Sequence, residues 1–163
     1  MRKFILPAAL LALAAATPAA AQVKRIGAPT SPILQAAVVP AGTDIMYVSG
    51  ITPPVLNPGA PAGTPPEFGD TKTQTIGVLK RIEDILKAEG LTHGDVFMMR
   101  VLLVGDPAKG GAMDFAGMME GYKQFYGTEA QPNKTARITS QVAALVAPGM
   151  MVEIEVQAAK PKK

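Results

Sequence analysis

Near the C-terminus, Arg137 opens one apolar segment, and Glu153 and Glu155 stand two residues apart in another. Side chains alternate across a strand, so both carboxylates project from one face, which is either solvated or functional. An arginine fixed on a strand presents a planar fork matched to a carboxylate, and a nearby glutamate can orient a water or move a proton. The same residues also read as a structural Arg137–Glu153 ion pair at a sheet edge, with Glu155 serving only as a partner. Other chemistries are poorly supplied. With one histidine and no cysteine, a metal site would have to be all oxygen, and the acidic residues lack the spacing of a calcium loop; no metal is expected. Neither a phosphate-binding nor a dinucleotide-binding glycine pattern is present. Ser49 would need a base, and the candidate, His93, sits in a polar loop and reads as a surface residue.

The surrounding elements must position these groups. Residues 22–32 carry Gly27, Pro29 and Pro32 and read as an extended surface arm. Leu34 to Val39 and Ile45 to Ser49 have strand composition, and the turn residues from Pro40 to Asp44 join them as an antiparallel hairpin. Ser49 and Gly50 close that hairpin where a glycine allows close backbone approach. The proline-rich stretch 53–66 is a long surface loop, of a kind that is either functional or disordered. Ile76, Leu79, Ile82, Ile85 and Leu86 recur at helical spacing after a capping Asp70 or Thr71, and Gly90 ends the helix. Asp95 to Val104 is the central strand; Arg100 within it either pairs with a glutamate or points to solvent. A second helix spans about Ala112 to Tyr126, with an apolar side of Phe115, Met118, Met119, Tyr122 and Phe125 that serves as core or as a binding surface. Ala136 to Leu145 and Met150 to Ala158 are the last strands, expected to pair across Ala147 to Gly149.

This order predicts an α+β two-layer domain: a mostly antiparallel sheet with two helices on one face. The near-continuous apolar run Phe97 to Val104 requires a cover on the other face, most simply a second copy of the chain. Residues 1–21 read as a cleavable secretory signal. Arg2 and Lys3 precede the apolar run Phe4 to Ala16, which ends in Ala19, Ala20 and Ala21. A single domain, 22–163, of about 142 residues remains, periplasmic or secreted, with no membrane attachment after cleavage. The formal charge of +3 includes Arg2 and Lys3, so the mature chain is near neutral, which disfavours nucleic acid as a partner.

Ser49-Gly50 ending a strand, the helix with Phe115, Tyr122, Phe125 and Tyr126, Ala136-Arg137 followed by Gln141, Val142 and Ala143, and the run Val152, Glu153, Ile154, Glu155, Val156, Gln157, Ala158 together form a pattern. It resembles the Rid family (RidA, YjgF-like) of enamine/imine deaminases, some of which are described as L-PSP endoribonucleases. The resemblance covers nearly all of the mature chain. It implies a chorismate-mutase-like fold, a homotrimer with a pocket at each subunit interface, and cofactor-free hydrolysis of 2-imino acids to 2-keto acids and ammonia. It also implies that Arg137 clamps the substrate carboxylate beside Thr139, while Glu153 and the Gly50 carbonyl hold the attacking water. Ser49, Ile33 and Met119 would line the pocket. Ile33 stands where the family commonly has tyrosine, Ile51 where it has glutamine, Met119 where it has asparagine, and Thr135 where it has proline. These exchanges make the pocket more apolar. The alternative readings are a non-catalytic trimer binding a small carboxylate or a protein partner, and an endoribonuclease.

Overall fold

The computed structural model describes residues 22–160; the expected leader over residues 1–21 lies outside the described residues. Along the chain come β1 (Lys24–Ile26), β2 (Ala36–Val38), β3 (Asp44–Ile51), α1 (Thr71–Ala88), β4 (Val96–Val104), α2 (Phe115–Tyr122), β5 (Ala136–Val142) and β6 (Val152–Lys160). Four strands form one sheet in the order β3-β6-β4-β5, and β1 and β2 pair separately. The result is the expected α+β fold.

Helix α1 forms where the periodicity places it. The Asp70 side chain accepts from Thr73 N at 2.7 Å, satisfying one of the first-turn donors. Val78, Leu79, Ile82 and Leu86 are fully buried against the sheet, and Gly90 leaves the helix in the left-handed region at φ 72°. Helix α2 lies beside it at short range, because a β-carbon at Gly121 would come within 2.8 Å of Thr75 Cβ. Only glycine permits that approach.

α2 is shorter than the expected 112–126. Gln141 accepts from Met113 N and donates to the Gly111 carbonyl, each at 2.9 Å, which fixes the preceding residues in a turn until Asp114 caps the helix. The arm at 22–32 is not a bare surface segment: β1 pairs antiparallel with β2, placing Ile26 opposite Ala36. Arg25 anchors it by donating to the carbonyls of Val96 (2.9 Å), Gly94 (2.8 Å) and Lys134. β2 therefore pairs with β1 rather than forming the expected hairpin with β3; the turn at Pro40, closed by Thr43 N to Pro40 O at 3.3 Å, redirects the chain.

The last two strands do not pair either. β4 lies between them, antiparallel to β6 and parallel to β5. It is the most continuously apolar strand, and an interior position removes most of it from water. The proline-rich loop closes on itself, through Leu56 N to Glu67 O at 2.7 Å and Asn57 Nδ2 to Pro65 O at 3.1 Å.

Register fixes which residues share a face. Arg137, Met99 and Val156 are neighbours across β5, β4 and β6, as are Ser140, Leu102 and Glu153. The first set faces the helices, where Met99, Val101, Leu103, Val152, Ile154 and Val156 form the core. The second set faces away with Tyr47 (72% exposed) and Ile138 (50% exposed). In its middle, Arg100 meets Glu155 at 3.1 Å, so Glu155 is the partner of Arg100 and not of Arg137. Partly exposed ion pairs of this kind contribute little to stability.

His93 is buried rather than a surface residue. Its Nδ1 lies 2.7 Å from Tyr126 Oη, and the ring meets Phe125 and Tyr126 edge-on at centroid distances of 5.2 and 5.1 Å. A neutral ring with its proton on Nε2, facing the Leu79 carbonyl outside good hydrogen-bond geometry, accepts from Tyr126. Burial pulls its pKa below 6.5, Glu83 on α1 opposes the shift and Lys87 adds to it. The neutral imidazole therefore contributes stability that is complete above the unfolded value and is lost as pH falls from there to the lower folded value. Denaturant titrations between about pH 8 and about pH 5 should show wild type losing stability relative to His93→Gln as the pH drops, since only wild type carries this titration. A gap between the two chains that is constant with pH would contradict the buried neutral ring.

Candidate functional site

Arg137 is the second residue of β5, an edge strand of the four-stranded sheet. Its guanidinium turns under α2. Cζ lies 4.5 Å from the Tyr122 ring centroid and 5.9 Å from that of Phe115. Nη2 points at Met119 Sδ (3.0 Å) and Nη1 at Met118 Sδ (3.9 Å), while Nε is buried without a partner. Among the described residues no carboxylate pairs with it. Burial lowers its pKa from the ordinary arginine value, with Tyr122 opposing, and the group stays charged at neutral pH. A half-buried cation against sulfur and aromatic carbon lacks the anion that would offset its desolvation.

Tyr122 is itself fixed. It stacks on Tyr126 at 4.8 Å with an interplanar angle of 11°, and its hydroxyl reaches the Pro32 carbonyl at 3.3 Å and Thr135 Oγ1 at 3.4 Å. Burial raises the pKa of both phenols. Two residues beyond Arg137, on the same face, Thr139 Oγ1 is also buried without a hydrogen-bond partner. This is a site with unmet polar groups and a positive charge, suited to a small anion.

The second grouping is Glu153 with Gly50. β3 is irregular against β6 between Val48 and Ile51, and this bulge brings Gly50 under the Glu153 side chain. A β-carbon at Gly50 would collide with the Glu153 carboxylate, so the residue must be glycine for the carboxylate to lie over the backbone there. Ser49 beside it is exposed.

Within one chain the two groupings do not meet. Arg137 faces the helices and Glu153 the open side, and β4 separates their strands, so the Arg137–Glu153 ion pair is not formed. The two residues stand two strand spacings apart across the sheet and three residues apart along it, roughly 14 Å between backbones. Met119 and Thr139 join Arg137. Ile33 packs against the core with its backbone in a turn closed by Ser31 Oγ, which donates to the Ile33 carbonyl at 2.6 Å, and Ile51 packs there too. An open groove of about 660 Å³ between the proline-rich loop and the ends of β4 and β6, bordered by Leu56, Phe68, Val104 and Met150, includes neither Arg137 nor Glu153.

Phe115, Met118 and Tyr122 as the bed of the arginine were not identified from sequence beyond their place on an apolar stripe. The signal was present: positions 115, 118, 119 and 122 follow the i, i+3, i+4, i+7 pattern of one helix face, and that face lies over a strand bearing an arginine.

A family model described as Endoribonuclease L-PSP matches residues 27–160. No curated protein matches the chain. Among solved structures, the chain is similar to E. coli TdcF with bound serine, at 30% identity and TM-score 0.56, covering 84% of this chain and 98% of that one. It is similar to the YjgF gene product from E. coli, at 28% identity and TM-score 0.55, with 84% and 98% covered. The Rid family protein YyfB from Yersinia pestis shares the fold at 21% identity and TM-score 0.63, over 86% and 100%. The expected chorismate-mutase-like architecture is the fold of these neighbours. With a family match from Gly27 to Lys160 on the YjgF fold, the chain belongs to the Rid-like proteins of the endoribonuclease L-PSP family.

Proposed function

We propose that the protein is an enamine/imine deaminase that hydrolyses 2-imino acids to 2-keto acids and ammonia, with its sites completed between copies in a homotrimer. The observation that carries this reading is the Arg137 guanidinium, half-buried without an anion, its Nε enclosed and unpartnered, on the same face as the unpartnered Thr139 hydroxyl. A substrate carboxylate supplies the missing charge, and the fork fixes its orientation. The bound serine in the E. coli TdcF structure supports a ligand of this class.

Glu153, held over Gly50, is the second reacting group. Facing the opposite side of the sheet, it serves an Arg137 of a neighbouring copy. Its carboxylate and the Gly50 carbonyl orient a water toward the C=N carbon, which is electrophilic once protonated. Water oxygen bonds to that carbon and the C=N π pair moves to nitrogen. Glu153 takes a water proton and returns it to nitrogen, and ammonia leaves as the carbonyl forms. The reaction needs no cofactor.

A second reading, a trimer that binds a small carboxylate or a partner without turnover, is favoured by Met119 and Ile51 near the two groupings in place of polar residues. RNA cleavage is disfavoured by the near-neutral charge of residues 22–163. The chain acts in the periplasm or outside the cell after removal of residues 1–21.

In turnover of 2-aminoacrylate-derived imine, Glu153→Gln should lower kcat about 100-fold, and Arg137→Ala should lower kcat/KM about 10- to 100-fold, mainly through KM. Gly50→Ala, which displaces the carboxylate, should match Glu153→Gln in kcat and retain 2-keto acid binding. Wild-type rates no higher than buffer would overturn the catalytic reading, and ligand-induced thermal stabilisation without product would select the binding one. Sedimentation of the mature chain at micromolar concentration should give a trimer; a monomer would contradict sites built between copies.

A further inference from the structure

The atoms touching the Arg137 fork differ in how freely they can leave. Met118 is fully buried and held in the core, whereas Met119, one residue on, is partly exposed and places its Sδ 3.0 Å from Nη2. A thioether is uncharged and a weak acceptor, and its unbranched stem changes rotamer easily. A carboxylate on the same nitrogens makes shorter, charge-assisted bonds. Any anion engaging both ends of the fork must take the place that Met119 sulfur holds. Nε is already enclosed without a partner, leaving the Met119 side as the route by which the fork is reached.

Resting on the reading of Arg137 as an anion clamp, we propose that Met119 is the gate of this site: its thioether occupies the ligand's place on Nη2 in the free protein, and an entering carboxylate swings it aside. Met119 thereby sets specificity. A carboxylate gains more from the guanidinium than the sulfur gives up, while a neutral amide of the same shape gains too little to displace it. The gate also shields the arginine from reagents in solution when no ligand is bound.

The test uses the full mature chain as wild type, Met119→Ala and Met119→Leu, with 2-oxobutanoate and its amide as probes in calorimetry. A parallel arm labels guanidinium groups with phenylglyoxal and follows Arg137 by peptide mass spectrometry. Met119→Ala should bind 2-oxobutanoate about tenfold tighter than wild type, narrow the discrimination against the amide, and label faster at Arg137. Met119→Leu, which keeps the bulk, should label at close to the wild-type rate, and similar thermal midpoints for all three chains exclude a general loosening. Unchanged or weaker binding by Met119→Ala with unchanged labelling would overturn the gate. Tighter binding and faster labelling in Met119→Ala, with no imine turnover by any chain, would contradict the hydrolase and leave the gate standing.

Discussion

The Arg137 guanidinium stacked on Tyr122 without an anion is the interaction on which the arrangement of the site depends. Desolvating a cation is costly, and cation–π and sulfur contacts offset that cost in part. The bed must therefore be rigid. It continues as a stack from Tyr122 to Tyr126 and on to His93, so the arginine is held through aromatic groups that reach the C-terminal half of α1. α2 in turn is set by its close approach to α1 at Gly121 and Thr75. A change at either helix moves the platform under the arginine.

Strand order imposes the second constraint. Because β4 separates β5 from β6, and because strand neighbours alternate faces, Arg137 and Glu153 look in opposite directions. No side-chain rotation in one chain brings them together. Arg137 lies at the β5 edge, whose outer side carries, among the described residues, a single bridge from Leu34 to Ala136, while Glu153 lies on the open sheet face with the exposed Tyr47 and Ile138. Large apolar side chains exposed beside a carboxylate are what a second copy would cover. The Arg100–Glu155 pair lies on the same face.

Much of this was legible in the sequence because it rests on local rules. The periodicity of α1, its Asp70 cap and its Gly90 stop were readable, as were the apolar run of β4 and the alternation that puts Glu153 and Glu155 on one face. What was not legible depends on partners distant in sequence. β5 pairing with β4 instead of β6 follows from the interior position that the apolar β4 takes in the four-stranded sheet, while β2 pairing with β1 instead of β3 depends on the anchoring of Arg25 to Val96, Gly94 and Lys134. His93 reads as a loop residue because its neighbours in sequence are polar; its burial comes from Phe125 and Tyr126, more than thirty residues on. The candidate site divides in the same way. Gly50 with Glu153, and Arg137 with Met119, were named from the family pattern, but their separation onto two faces required the register.

The central claim is that one copy supplies Arg137 and another supplies Glu153. Subunit complementation tests it most directly: Arg137→Ala and Glu153→Gln chains are co-expressed in equal amounts, the mixed trimers are isolated, and imine hydrolysis is measured beside each variant alone. Each mixed trimer keeps both native groups at one of its three interfaces, so the isolated mixed trimers are predicted to recover about a third of wild-type activity. Activity no greater than the mean of the two variants would contradict a site shared between copies.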